Sequence, residues 1–255
     1  MGGPRAGRPR RVSRFFVEGT FDVGDRVELE GGDARKLAGV LRAVPGDRVD
    51  ILDGHSRRFA GLVREVGRDR VSVELAAALT EPPREAGLAI TLAQGIPKGQ
   101  KMDFVVEKAV ELGVRTIVPL VSERTIARPQ GADGKVERWR RLAKSAALQC
   151  GRERVPEVRT PLDLAGVLQL GAAHDAVVMP WELAEQRPLR ERLADFGAAG
   201  SILVIVGPEG GLSQHEAERA RLAGAHLISL GPRILRTETV ALVLIAALYA
   251  LRGEL

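Results

Sequence analysis

Residues 202–250 read ILVIVGPEGGLSQHEAERARLAGAHLISLGPRILRTETVALVLIAALYA, and this stretch decides the fold. A run of five apolar residues, 202–206, leads directly into Gly-Pro-Glu-Gly-Gly at 207–211 and then into a helical pattern. A second predicted strand, 226–230, leads into a second glycine turn, Gly231-Pro232-Arg233. In open α/β sheets, ligands bind beyond the carboxyl ends of strands, where loops expose backbone N–H and C=O groups. The stretch therefore predicts an α/β domain whose ligand site is formed by these two loops.

The chain before this stretch shows two patterns of predicted secondary structure, which indicate two domains. Residues 13–79 contain short runs typical of strands, interrupted by one helix at about 34–42, and they indicate a small β-barrel. The strands are predicted at 26–29, 49–52, 59–66 and 71–75. Residues 80–87 break the pattern and form a linker.

From residue 88 onward, predicted strands alternate with predicted helices. The strands are predicted at 88–93, 116–121 and 176–179, and the helices at 102–112, 136–149 and 162–170. Such alternation is typical of a mostly parallel sheet that is covered on both faces.

Composition limits the classes of function. The 255 residues, 45% of them hydrophobic, can bury a full core, and no apolar run is long enough to span a bilayer. A single cysteine, Cys150, excludes an internal disulfide and favours a reducing, cytoplasmic location. The four histidines lack metal-ligand spacing, so we expect no metal. The net charge of +5 and a basic, disordered arm at residues 1–12 suit a nucleic-acid partner, although a solvated arginine-rich surface would look similar.

The two glycine turns are not a common nucleotide-binding loop, because neither a P-loop nor a G-x-G-x-x-G pattern is present. Ser213 and Glu216 have the spacing of a capping box, which predicts a helix immediately after the first loop. At the second loop, Thr237 is predicted to cap the following helix, while Arg236 and Glu238 place opposite charges at its entrance. Backbone amides, both charge signs and apolar surface together suit a ligand such as S-adenosylmethionine.

The combination of GPEGGLS at 207–213 with LGPRILRTET at 230–239 closely resembles the bacterial 16S rRNA uridine-N3 methyltransferases of the SPOUT superfamily. The resemblance extends over nearly the whole chain, including Arg138-Trp139 and Gln149-Cys150-Gly151-Arg152. It implies a PUA-like RNA-binding β-barrel at 13–79 and a SPOUT methyltransferase domain at 88–255 with a deep trefoil knot. It also implies a homodimer that uses S-adenosyl-L-methionine to methylate N3 of a uridine (position 1498 in standard rRNA numbering) at the decoding region of 16S rRNA, alone or in the 30S subunit.

The resemblance also implies roles for individual residues, and three of them are catalytic: Arg236, Glu238 and Arg124. The cofactor-binding residues are Pro180, Trp181, Glu182, Gly207, Pro208, Glu209, Gly210, Gly211, Leu230, Gly231, Ile234, Leu235, Arg236, Thr237 and Thr239. The RNA-binding residues are Arg10, Arg11, Arg14, Arg35, Lys36, Arg42, Lys98, Gln149 and Arg152. The general base is not identified, since Glu209 and Glu238 both have equally good interpretations as ion-pair partners.

Two alternatives stay open. The chain could methylate another RNA atom, such as a ribose 2′-hydroxyl in tRNA, or it could bind RNA without catalysis. Intact glycine and R-T-E-T loops disfavour the second, and the match over the barrel disfavours the first. The pair Arg35-Lys36 stands where relatives often carry histidines, Cys150 where they carry serine, and Val240 where they carry alanine. These departures concern the RNA contacts more than the cofactor.

Overall fold

A computed structural model describes residues 12–80, 85–125, 132–184, 191 and 194–255, with only the backbone given at 132 and 133. The chain divides into two compact units. The first unit comprises Met1–Arg84 and Gly151–Arg154, and the second comprises Glu85–Cys150 and Val155–Leu255. Of the predicted basic arm at 1–12, only Val12 is among the described residues. Residues 81–84 of the predicted linker also lie outside the described residues.

The first unit is a curled five-stranded sheet in the order β1-β3-β4-β5-β2. Its strands are β1 (Ser13–Phe16), β2 (Arg26–Glu30), β3 (Arg48–Leu52), β4 (Arg58–Val66) and β5 (Arg70–Leu79). All neighbours pair antiparallel except β1 and β3, which are parallel. The alternation of exposed and buried residues in β2 turns Val27 and Leu29 toward a core around Phe15 and Phe59. The edge strands β1 and β2 are not paired with each other, so the predicted barrel is a half-barrel.

The helix predicted at 34–42 starts and ends earlier in the structure. Helix α1 (Gly31–Arg35) continues as a wider π-helical segment, Lys36–Val40. The segment ends before Arg42, whose φ of 52° is left-handed. The prediction missed the start because Gly31 and Gly32 are poor helix formers.

The second unit is built on one sheet in which all described strand pairs are parallel, in the order β12-β10-β11-β6-β7-β8, with β9 also paired to β7. The strands are β6 (Ala89–Gly95), β7 (Thr116–Val121), β8 (Glu157–Val158), β9 (Leu162–Asp163), β10 (Ala176–Pro180), β11 (Ser201–Val206) and β12 (His226–Ile228). The helices are α2 (Lys101–Glu111), α3 (Ala132–Cys150), α4 (Leu164–Gly171), α5 (Gln214–Leu222) and α6 (Thr237–Leu251). This confirms the predicted α/β class with its parallel sheet.

Two predicted elements are corrected by the structure. The first turn of the helix predicted at 162–170 is instead β9, and α4 begins at Leu164 because the Asp163 carboxylate accepts the Gly166 N–H at 2.8 Å. The strand predicted to reach Leu230 ends at Ile228, which frees Ser229 for the loop. Over the part of the chain that the structure describes, no helix is long and apolar enough to cross a membrane. The trefoil knot stays a prediction.

Candidate functional site

The carboxyl ends of three neighbouring strands, β12, β10 and β11, meet at one edge of the parallel sheet. The loops that follow these strands line one cavity of about 310 Å³, a volume within the usual range for small-molecule sites. Its lining residues are Pro180, Trp181, Glu182, Glu209, Gly210, Gly211, Ser229, Leu230, Gly231, Pro232, Arg233, Ile234, Leu235 and Val240. We call this space the first cavity.

A second cavity of about 510 Å³ adjoins the first. Both cavities are lined by Glu209, Ile234, Leu235 and Val240. Only the second is lined by Lys101, Val206, Gly207, Pro208, Arg236 and Thr237. Every predicted cofactor-binding residue therefore lines one of the two cavities, except Thr239.

The glycine-rich loop at 207–211 depends on close backbone contacts. A Cβ atom on Gly95, at the end of β6, would lie only 2.3 Å from the Pro208 nitrogen, so the two backbones meet without room for a side chain. A Cβ on Gly207 would lie 3.0 Å from the Gly211 carbonyl carbon, and Gly211 itself adopts a φ of +67°. Glycine is required here by close approach and by a left-handed turn.

A buried hydrogen-bond chain holds the start of the same loop. The Gln94 side-chain amide donates to the Thr237 hydroxyl at 2.8 Å, and that hydroxyl donates to the Gly207 carbonyl. The prediction that Thr237 caps helix α6 is wrong, because Arg236 occupies the cap position without a side-chain hydrogen bond. The hydroxyl is used instead to join the two loops.

Glu209 is a charged anchor for this loop. Its carboxylate accepts the Lys98 N–H at 3.0 Å and the Lys101 ammonium at 3.1 Å. Burial opposes ionisation, but hydrogen bonds from the backbone N–H of Glu209 itself, from Lys101 and from Lys98 together outweigh it, and the pKa of Glu209 lies below its ordinary value. An ionised carboxylate with these partners is suited to positioning the loop rather than to accepting a proton.

Arg124 contacts the opposite end of the loop, where its guanidinium donates to the Gly210 carbonyl at 2.9 Å. The segment that carries it is fixed by the buried Glu216, which accepts the Glu123 N–H at 2.9 Å. Ser213 and Glu216 form both bonds of a capping box at the start of α5, as predicted. These contacts give Arg124 a positioning role at the glycine loop.

The other two predicted catalytic residues flank the entrance of α6. Arg236 is exposed and lines the second cavity. The Glu238 Oε2 atom is buried, lies 3.9 Å from the Lys101 ammonium, and has no hydrogen-bond partner among the described residues.

The predicted RNA-binding residues are distributed over both units. In the first unit, Arg14 lies 3.7 Å from Asp50, Arg35 pairs with Asp69 at 3.2 Å, and Lys36 lies over the ring of Phe15. Arg42, Lys98 and Gln149 are exposed, whereas Arg152 is only 4% exposed, which leaves little of its side chain for RNA. Arg10 and Arg11 lie outside the described residues.

The sequence reasoning missed several residues that line the cavities or hold them. They are Lys101, Gln94, Val206, Ser229, Pro232, Arg233 and Val240. Gln94 carried a usable signal, since a single amide in an otherwise apolar strand needs a partner when it is buried. Lys101 carried none, because its role depends on a contact with Glu209 across the fold.

The residues present fit S-adenosylmethionine. The lining of the first cavity includes the carboxylate of Glu182, which would suit an ammonium or sulfonium group, the guanidinium of Arg233, which would suit a carboxylate, and the apolar surface of Trp181 and Leu230, which would suit an adenine. Glycines leave backbone groups accessible at the wall of the cavity. No described group of His, Cys, Asp or Glu residues could hold a metal ion.

Fold and site thus define an α/β enzyme of the class that binds a small charged cofactor beyond the strand ends. A family model described as an RNA methyltransferase domain matches residues 84–249, and the chain belongs to this family. The finding confirms the family indicated by the sequence motifs.

The relatives agree in name. The chain is 33% identical over 181 residues to ribosomal RNA small subunit methyltransferase E of Bacillus subtilis, a match that covers 67% of this chain and 71% of that protein. It is 35% identical over 173 residues to the protein of the same name from Mycobacterium bovis, covering 65% of this chain and 64% of the relative.

Solved structures of relatives contain the cofactor. A methyltransferase of Legionella pneumophila in complex with bound SAM superposes with a TM-score of 0.82 at 31% identity, covering 94% of this chain and 98% of that one. Ribosomal RNA small subunit methyltransferase E from Neisseria gonorrhoeae, bound to S-adenosyl methionine, gives 0.81 at 32% identity with the same coverage.

Proposed function

We propose that the protein transfers a methyl group from S-adenosylmethionine to N3 of a uridine in the decoding region of 16S rRNA. The observation that carries the proposal is the first cavity, formed by the loops after β10, β11 and β12 in a member of the RNA methyltransferase family. The names of the relatives and their cofactor complexes support the substrate class and the cofactor.

Each part of the site has a physical task in such a transfer. S-adenosylmethionine supplies an electrophilic methyl group on a sulfonium, so the protein mainly aligns the nucleophile and excludes water. Residues 207–211 and 229–235 bind the cofactor through backbone groups, and Arg124, Lys98 and Thr237 hold the first of these loops in place.

Uridine N3 becomes a good nucleophile only as its proton leaves. Arg236, which lines the second cavity, is proposed to stabilise the resulting negative charge on the base. Glu209 is already used by Lys98 and Lys101. This leaves Glu238 as the carboxylate that we predict to take part in proton transfer.

The wider features are proposed on the family resemblance. We infer a homodimer that works in the cytoplasm on 16S rRNA or the 30S subunit, with the cofactor held in a trefoil knot. Arg14, Arg35, Lys36 and Arg42 of the first unit are proposed to contact the RNA phosphates, with Lys98 and Gln149 contributing from the second unit.

One experiment tests the proposed reaction. The protein is incubated with labelled S-adenosylmethionine and 30S particles from cells that lack the modification, and the labelled nucleotide is mapped. The expected result is label at N3 of one uridine in the decoding region. Label on a ribose hydroxyl or in tRNA supports the first alternative, and cofactor binding without transfer to any RNA supports a non-catalytic protein.

A further inference from the structure

Most of the predicted cofactor-binding residues line the first cavity, although Gly207, Pro208, Arg236 and Thr237 of that set line only the second. Four residues line both cavities, so the two spaces adjoin along Glu209, Ile234, Leu235 and Val240. In-line transfer requires the acceptor atom to approach the methyl group from the side opposite the sulfur. A cavity next to the cofactor site, with room of about 510 Å³, is therefore suited to the acceptor base.

The second cavity differs from the first in its cations. Lys101 and Arg236 line only this cavity, and both side chains are partly or largely exposed, so water reaches them. The carboxylate that accompanies them, Glu209, is engaged by Lys98 and Lys101. Cations at a cavity wall favour a ligand on which negative charge develops.

Lys101 is held in position from two sides. Its ammonium lies 3.1 Å from Glu209 Oε1 on the glycine loop and 3.9 Å from Glu238 Oε2 on α6. Glu238 Oε2 is buried without a hydrogen-bond partner among the described residues, and it lies within ion-pair distance of Lys101. Two carboxylates on separate elements thereby hold the ammonium at the cavity, and Arg236 is the other cation that lines it.

We propose that the second cavity receives the acceptor uracil and that Lys101 is a catalytic residue, which stabilises the negative charge on the base. Removal of the N3 proton to water leaves an anion shared by N3 and the two carbonyl oxygens. The N3 electron pair then forms the new bond to the methyl carbon, while the carbon–sulfur bond breaks and its electron pair stays on sulfur. Lys101 makes the N3–H more acidic by pairing with this anion. This assignment rests on the proposed function.

Lys108 provides a matched control for Lys101 on the same helix, α2. Like Lys101 it is paired with two glutamates, Glu107 at 2.8 Å and Glu111 at 2.7 Å, and it lines neither cavity. Lys101→Met and Lys108→Met each remove one ammonium and two ion pairs from α2. Only the first removes a charge from the second cavity.

The test measures single-turnover methylation of unmodified 30S particles by the full-length protein as a function of pH. We expect Lys101→Met to slow transfer by on the order of 10²-fold at neutral pH, with cofactor affinity within about twofold of the unaltered protein. The rate of this variant should keep rising to higher pH than that of the unaltered protein, because the uracil must lose its proton without help. Lys101→Arg should restore part of the rate, and Lys108→Met should behave as the unaltered protein.

A second substrate makes the test sharper. In particles assembled with 5-fluorouridine rRNA, the fluorine makes the N3–H more acidic. The methylation rate should therefore rise by a larger factor for Lys101→Met than for the unaltered protein when the fluorinated particles replace the ordinary ones. An unchanged pH profile and no selective recovery would overturn the role of Lys101. So would a loss of cofactor binding in both Lys101 variants, since that marks a purely structural residue. If the unaltered protein puts no label on uridine N3, the proposed function itself has failed, which is a different outcome.

Discussion

Gly95→Ala should damage the cofactor site without touching the cofactor. The added Cβ would lie 2.3 Å from the Pro208 nitrogen and 2.6 Å from the Gly207 carbonyl carbon, both of them backbone atoms. Backbone cannot rotate away as a side chain can, so β6 and the glycine loop must separate by about 1 Å to restore ordinary contact.

The size of the effect follows from this displacement. Overpacking of a buried site costs about 1–3 kcal/mol in the free energy of unfolding. A misplacement of about 1 Å in a binding or catalytic loop costs on the order of 10²-fold, which corresponds to about 2.7 kcal/mol of cofactor affinity. The loop is also tied to Thr237 through the Gly207 carbonyl, so the displacement strains that hydrogen bond as well.

Two measurements check the prediction, namely urea unfolding and calorimetric titration with S-adenosylhomocysteine. Gly134→Ala is the control, because Gly134 lies in α3 with no atom near its would-be Cβ. Gly134→Ala should raise the free energy of unfolding slightly, because alanine is the better helix former, and it should leave the affinity for S-adenosylhomocysteine unchanged. Gly95→Ala with unaltered affinity and stability would refute the argument that close backbone approach fixes the loop.

Three further predictions concern single side chains. Arg236→Ala should reduce methyl transfer severely while leaving the urea midpoint unchanged, because this exposed side chain lines the second cavity; single-turnover assays and urea unfolding measure both. Thr237→Val should lower the free energy of unfolding by about 1–3 kcal/mol, because it leaves the Gly207 carbonyl without its donor; chemical unfolding measures it. The Ser201 hydroxyl, with the Ser201 and Gly200 N–H groups, holds the pKa of Asp175 below 3.8. The ionised Asp175 therefore stabilises the folded protein fully above that value, and this contribution is lost as the pH falls through the folded pKa. In Asp175→Asn, the free energy of unfolding, measured by unfolding curves at a series of pH values, should fall less steeply toward acid pH.

Each of these predictions has a result that contradicts it. Near-normal turnover of Arg236→Ala would remove that residue from the reaction, and unfolding of the variant would make its role structural. Unaltered stability of Thr237→Val would mean that water replaces the hydroxyl at Gly207. An acid-side slope of Asp175→Asn equal to that of the unaltered protein would assign the acid sensitivity to other carboxylates.

The sequence predicted the two domains and the two loops because these features are local. Apolar runs such as 202–206, followed by glycine, identify a strand end from a few neighbouring residues. The capping box at Ser213 and Glu216 is likewise contained within four residues, and the structure contains both of its hydrogen bonds. Local patterns of this kind need no knowledge of how distant segments meet.

The failures are non-local. Thr237 looked like a helix cap, but its hydroxyl bonds to Gly207, thirty residues away in sequence. Arg124 was predicted to be catalytic, a role that stays a prediction, and the local pattern did not show that its guanidinium donates to the Gly210 carbonyl. In each case a distant backbone carbonyl, invisible in the local pattern, competes for the side chain. Arg152 is also buried, in the short segment Gly151–Arg154, which belongs to the first compact unit although it follows α3 of the second.

The distribution of charge in the site favours catalysis by cations over catalysis by a carboxylate base. Glu209, whose carboxylate lines both cavities, has a lowered pKa and is occupied by Lys98 and Lys101. A base with a lowered pKa is a poor proton acceptor at neutral pH. Lys101 and Arg236 instead line the cavity where the acceptor is proposed to bind, and they can lower the cost of forming a uracil anion. On the proposed assignment, the site would make the substrate a stronger acid rather than the protein a stronger base.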